Sequence, residues 1–276
     1  MSLSPQVHQT IAGRTRFYKH VTVEAVEAVE ASAASEYRIL LDGRVLKTPA
    51  RAPLHLPTLP LALAVAAEWD AQNDSKRGIQ PTTMPLMTLA STAIDQVAVD
   101  AAPARRTVLS YLPTDTCLFY TVPEDRILLK KQKQHFQPLV KWLKRSFDIE
   151  CHTTESFAAR LQHPPSTHAR MSAIVDTLDP FSLTCLQCAT MEAKSVVLGL
   201  ALLCRQVTLE QARAASRVEE ECQIEWWGAV EGGHDMDRLN NAVSLSSVGT
   251  FMGLMLREEE HAALLHRCQQ AARSVP

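Results

Sequence analysis

The chain lacks the short motifs on which most enzyme sites are built. No HExxH pair, GxSxG elbow, Walker loop or glycine-rich dinucleotide fingerprint occurs in its 276 residues. Glycine is scarce, at nine, and its one adjacent pair, Gly232-Gly233, follows a helical segment. A phosphate cradle needs that pair between a strand and a helix, where successive backbone donors point inward. Long apolar runs are absent: Val196 to Cys204 is the longest near the middle of the chain and is half a membrane span at best. An excess of one charge is absent too, with 28 Lys and Arg against 30 Asp and Glu. That balance excludes a strongly basic nucleic-acid surface and an acidic disordered solubiliser. Seven cysteines, an odd and scattered set, do not make a disulfide framework and suit a reducing compartment. No apolar secretory segment opens the sequence; Arg14, Arg16 and Lys19 precede the first acid, Glu24, which suits the end of an organellar presequence or an ordinary frayed terminus.

The length fits one large domain or two modest ones. Residues 37–41 and 45–48 read as short antiparallel strands joined at Asp42-Gly43-Arg44. Residues 22–34 can be helix by their alanines or strand by their valines, with Glu24, Glu27 and Glu30 on a solvated side. After Pro57 the period becomes helical. Thr58 is a cap, Pro60 a first-turn proline, and Leu61, Ala64, Val65, Glu68, Trp69 and Gln72 share a face. The proline-bracketed stretch from Gln80 to Pro85 is expected to be extended, with a helix over Leu86 to Val97 after it. Further helices are predicted over residues 103–111, 125–145 with a kink or restart at Pro138, 166–178, 180–192, 194–205 and 208–227, and a strand over 117–121. The run from Val196 is apolar on all sides and belongs at the centre of a bundle. The fold class is therefore α+β: a small N-terminal part with antiparallel strands, residues 16–100, then a larger helical bundle, residues 101–235. Residues 1–15 form a flexible or presequence-like segment and 236–276 a helical extension. No heptad run or paired edge calls for a homodimer, so a monomer is expected.

Candidate chemistry is sparse. Cys185 and Cys188 form the only CxxC, but a zinc site lacks two further ligands, and the apolar neighbours Leu183, Leu186 and Ala189 favour small core residues over a redox pair. His234 and Asp235 adjoin and so point apart, and Asp235 or Asp237 reads better as a helix cap than as a catalytic group. Lys130, Lys131 and Lys133 read as a solvated face. Glu68, on an apolar face, needs a basic or backbone partner, expected where the two parts join. Between Leu209 and Trp227, Ala215, Cys222 and Trp226 lie on the arc of Val218, with Glu219 at one edge and Glu221 and Glu225 on the other flank. Adjacent tryptophans with carboxylates on both sides could form a recognition edge; a core Trp226 with solvated glutamates is the alternative.

Seven islands stand in the order seen in one family: Arg16-Phe17-Tyr18-Lys19; Leu41-Asp42-Gly43-Arg44 with Lys47-Thr48-Pro49; Ala67-Glu68-Trp69-Asp70-Ala71-Gln72; Ile79-Gln80-Pro81; Met84-Pro85; Thr92-Ala93-Ile94-Asp95; and Gln223 with Trp227-Gly228 and His234-Asp235. Together they resemble the assembly chaperone that binds the alpha subunit of the F-type ATP synthase catalytic head in mitochondria and related bacteria. The resemblance implies a protein with no catalytic activity and no cofactor, in the mitochondrial matrix. Such a protein holds the unassembled alpha subunit and shields its beta-facing surface. The family's acidic positions before the tryptophan-glycine pair look like Glu219 and Glu225, with Gln223 between them, so Glu219, Gln223, Glu225, Trp227 and Asp235 are the implied protein-binding residues. Residues 241–276 depart from the family pattern: they are longer and more apolar, with Phe251, Met252, Leu254, Met255 and Leu256 in an extra helix. Two other classes remain open on the residues alone, a cysteine- or histidine-dependent redox enzyme or hydrolase and a structural subunit of a stable complex.

Overall fold

A computed structural model describes residues 11–26, 36–72, 78–156, 160–230 and 232–275. The chain divides into two compact units, one running to Ala101 and taking in Thr250–Arg257, the other holding Ala102–Gly249 and the chain from Glu258 onward.

The first unit contains a three-stranded antiparallel sheet in the order β1 (Val21–Val26), β2 (Glu36–Leu41), β3 (Arg44–Val45), with Val23 opposite Ile39 and Leu40 opposite Val45. The β2–β3 turn has positive φ at both central residues, Asp42 (47°) and Gly43 (77°), the twist that lets two short strands pair without splaying. The valines, not the alanines, decide the segment after His20, which is strand to Val26; Glu27 and Glu30 lie outside the described residues. Helix α1 (Leu59–Asp70) starts where Thr58 accepts the Leu61 N–H and buries Leu61, Val65 and Trp69. Helix α2 (Pro85–Thr92) runs on into a π turn, Ala93–Val97. The expected extended stretch before it is instead a 3-10 turn, Pro81–Thr83, because Pro81 stands at the first position, where no N–H is needed.

The islands that carry the resemblance hold one another here. The Arg16 guanidinium donates to the carbonyls of Asp70 (2.7 Å) and Gln72 (3.0 Å), closing the C-terminal end of α1, and pairs with the Asp70 carboxylate at 2.9 Å. Tyr18 Oη donates to the Trp69 carbonyl at 2.7 Å. Asp42 accepts the Lys19 and His20 N–H groups, and Asp95 accepts Thr48 Oγ1 at 2.6 Å and the Ala50 N–H at 3.0 Å. Gln72, buried, donates to Thr83 Oγ1 and accepts the Gln80 N–H. Glu68 accepts the Leu86 N–H at 2.7 Å and the Met87 N–H at 2.8 Å, so its partner is the N-terminus of α2 within this unit and not a group where two parts join.

The second unit is helical: α3 (Ala102–Ser110), α4 (Arg126–Phe147), α5 (Pro165–Asp176), α6 (Pro180–Ala193), α7 (Val196–Leu203), α8 (Leu209–Ser216), α9 (Val218–Trp227), α10 (His234–Met255, of which the part to Gly249 belongs here) and α11 (Glu258–Arg273). Every residue of α7 is buried. The free N–H groups of its first turn are satisfied from two sides: Ser195 Oγ accepts the Leu198 N–H at 2.9 Å, and the fully buried Asp115 accepts the Val197 N–H at 3.0 Å. Asp115 also takes the Cys117 N–H at 3.0 Å, which curls the backbone into a 3-10 turn, Thr116–Leu118, where a strand was expected over 117–121. Among the described residues, the stretch 117–121 keeps one strand-type bridge, Phe119 to Thr154. Helix α4 passes Pro138 without restarting. The expected helix over 208–227 is two, broken at Arg217 (φ −118°, ψ 11°), whose guanidinium turns onto Glu220 (2.6 Å) and Glu221 (3.1 Å). No helix of the described residues is long and apolar enough to cross a membrane.

Candidate functional site

Helix α9 ends at Gly228, whose φ of 82° favours glycine, and is fastened to α10 by charge. Glu221 on α9 binds Arg217 and forms an ion pair with Arg238 on α10. Burial raises its carboxyl, but the hydrogen bonds from Arg238 and Arg217 outweigh burial and hold it below the usual carboxylate range. His234 opens α10, and its Nδ1 accepts the Val230 N–H at 3.0 Å, a turn contact that uses the ring as an acceptor.

What these elements present outward is apolar. Trp227 is 76% exposed and Trp226 39%, their rings edge to face with centroids 5.7 Å apart. Trp226 is therefore not core, the alternative that its place on the Val218 arc left open. Val230, Met236, Leu239 and Val243 are each more than half exposed. The last three recur at three and four residues, which puts them on one face of α10. Such a stripe ordinarily marks the buried side of a helix; here it is uncovered.

The implied binding residues do not form one cluster. Gln223 and Trp227 are exposed, one turn apart on α9, and Asp235 is exposed in the first turn of α10. Glu219 is half-buried and accepts the buried Gln132 Nε2 at 2.8 Å, while Gln132 Oε1 accepts the Thr121 N–H at 2.7 Å. Burial raises the Glu219 carboxyl, opposed by the Gln132 bond and by the Lys194 charge. Glu225 lies on another side of α9, in an ion pair with Lys131 of α4 at 2.5 Å. Gln223, Trp226 and Trp227 are therefore free on the outer side of α9, whereas Glu219 and Glu225 are both tied to α4, Glu219 through Gln132 and Glu225 through Lys131. Met236, Leu239 and Val243 were missed from the sequence, although their spacing after Gly232-Gly233 is visible there.

The cysteines lack the environment of a nucleophile. Burial raises the Cys185 thiol well above its ordinary value and pushes Cys188 and Cys151 up to about 12, the reverse of an activated thiolate. Among the described residues, no three His, Cys, Asp or Glu side chains are grouped to hold a metal ion.

Comparison with known proteins bears on the fold and the family. The family described as ATP12 chaperone protein matches residues 15–144, a stretch that ends before α9. Mitochondrial protein atp12 of Schizosaccharomyces pombe is 27% identical over 225 residues, covering 77% of this chain and 76% of its own length. Mitochondrial ATP12 of Saccharomyces cerevisiae is 22% identical over 237 residues, covering 72% and 73%. The crystal structure of Atp12 from Paracoccus denitrificans superimposes with a TM-score of 0.77 at 30% identity, over 88% of this chain and 98% of that one. A shared fold and sequence over nearly the whole of a solved Atp12 make this chain a member of the ATP12 chaperone family.

Proposed function

We propose that this assembly chaperone holds the unassembled alpha subunit of the F-type ATP synthase head on the face formed by the end of α9 and the first half of α10, and keeps its beta-facing surface covered until assembly. The observation that carries the reading is the set of exposed apolar side chains there, Trp227 and Val230 with the α10 stripe Met236, Leu239 and Val243. Exposed aromatic and aliphatic side chains are what a surface needs to replace an apolar subunit contact. Glu219, Gln223 and Asp235 supply its polar border, and Glu225, through Lys131, fixes α9 on α4. The protein acts as a monomer, away from nucleic acid and outside the membrane, in the mitochondrial matrix; the mitochondrial relatives support the organelle.

The test is capture of newly imported alpha subunit from matrix extract. Exposed aromatic anchors carry much of an interface's energy, so Trp227→Ala is expected to lower capture at least tenfold. Leu239→Ser should act in the same direction, and both variants should keep wild-type urea midpoints because neither side chain is buried. Retention of the alpha subunit at the wild-type level by the double variant, or preferential capture of another subunit by the wild type, overturns the reading.

A further inference from the structure

Helix α4 carries Arg126, Lys130, Lys131, Lys133, Lys141, Lys144 and Arg145 and no acidic residue among its 22, in a chain of net charge −2. Two of these cations are occupied internally, Lys131 by Glu225 and Lys144 by Asp148 and Glu150. Lys130, Lys133, Lys141 and Arg145 are exposed and have no ion-pair partner among the described residues. Leu128, Gln132, Phe136, Leu139 and Leu143 fix the buried side of the helix. Lys130, Lys133, Gln137, Lys141 and Lys144, three and four residues apart, then form a single stripe along the opposite side, about 20 Å long at the helical rise.

A solvated lysine face is convex, but this one borders two hollows. The first, about 610 Å³, lies between α4 and residues 153–155. Tyr120, Leu129 and Val140 give it apolar walls, and Lys133, Gln137 and Lys141 form its edge. The second, about 620 Å³, opens on the other flank beside Gln134, Pro138 and Arg145 and shares the same edge. Glu155 is the one acid lining either hollow.

We infer that this stripe is a second docking surface, which takes an acidic, extended segment of a partner polypeptide. Lys133, Lys141 and Arg145 meet its carboxylates. The side-chain amides of Gln134 and Gln137, each both donor and acceptor, meet its backbone. The hollow walled by Leu129 and Val140 receives an intervening aliphatic side chain. A nucleic acid is the poorer fit, because the stripe offers no exposed aromatic among the described residues on which a base could stack, and the Glu155 carboxylate in the hollow's lining repels phosphate. The surface shares no residue with the α9–α10 face and is independent of its reading.

The experiment is fluorescence anisotropy with the full chain and a fluorescein-labelled, end-capped dodecapeptide repeating Glu-Ser-Glu-Val. Saturable binding is expected, weakened at least about tenfold by K133E/K141E, retained within about twofold by K133R/K141R, and weakened by added salt as exposed charges are screened. W227A should bind the peptide as the wild type does, which separates this surface from the α9–α10 face. Circular dichroism of K133E/K141E should match the wild type, since both lysines are exposed. Absence of saturation, equal binding by K133E/K141E, equal binding of a peptide with lysine in place of glutamate, or tighter binding of an oligothymidylate overturns the inference.

Discussion

Glu219 divides its carboxylate between the protein and the solvent, and the two halves predict different things. One oxygen accepts Gln132 Nε2, a buried donor whose own carbonyl already holds the Thr121 N–H. Glu219→Gln keeps an acceptor at that place and should move stability by no more than about 1 kcal/mol. Glu219→Lys removes it and leaves a buried N–H₂ facing an ammonium, a loss of about 1–3 kcal/mol. Urea midpoints distinguish the two; equal midpoints would mean that Gln132 does not depend on Glu219. Capture of the alpha subunit by Glu219→Gln then reads the charge alone. A loss at normal stability makes the carboxylate part of the client face, and unchanged capture removes it from that face. Its position at the edge of an apolar arc was legible from spacing. The Gln132 partner was not, because the bond links residues 87 apart in sequence.

Helices α6 and α7 approach so closely that a Cβ at Gly199 would stand 2.8 Å from Thr190 Oγ1 and 3.2 Å from the Thr190 backbone nitrogen. Alanine in a helix interior normally gains about 0.5–1 kcal/mol over glycine. Here overpacking should exceed that gain, for a net loss of about 1–2 kcal/mol in Gly199→Ala, measured as a lower urea midpoint with secondary structure unchanged. A stabilised variant would mean that the helices can separate freely at this point. Elements with local signals could be read from the chain: Thr58, Asp125, Asp179, Ser195 and Thr208 each cap a helix through their own side chains. Where the deciding partner is distant, the local pattern misleads. Asp115 caps a helix 82 residues away with one oxygen, and that places its other oxygen to take the Cys117 N–H and curl residues 116–118 where a strand was expected. The α10 stripe failed differently. Met236, Leu239 and Val243 have the spacing of a core face, and spacing alone does not tell whether anything covers it.

At the scale of the molecule, most of the islands behind the family resemblance turn out to be the polar ties of the first unit, which is why sequence order identified the fold better than it identified the client surface. A half-buried carboxylate in the first unit, Glu68, and a fully buried one in the second, Asp115, make stability depend on pH. Burial pushes Glu68 up to about 7 against the pull of two backbone N–H donors, and Asp115 up to about 6. In both cases the folded state holds its proton more tightly than the unfolded chain, whose carboxyls titrate near 4. The contribution of each group is therefore complete in acid below the unfolded pKa and is lost as pH rises, through about 7 for the first unit and about 6 for the second. For Glu68 the loss is on the order of 3 kcal/mol. Glu68→Gln should lower stability by about 1–3 kcal/mol at low pH, because an amide N–H₂ would face one of the α2 N–H groups. It should also flatten the pH dependence of the first unit while leaving that of the second intact. Hydrogen exchange followed by mass spectrometry separates them: protection in α1 and α2 should fall between pH 5 and 8 in the wild type and stay level in Glu68→Gln, while protection in α7 follows Asp115 in both. Protection in α1 that rises over that range in the wild type would show that the N-terminus of α2 holds Glu68 ionised, and the assigned direction would be wrong.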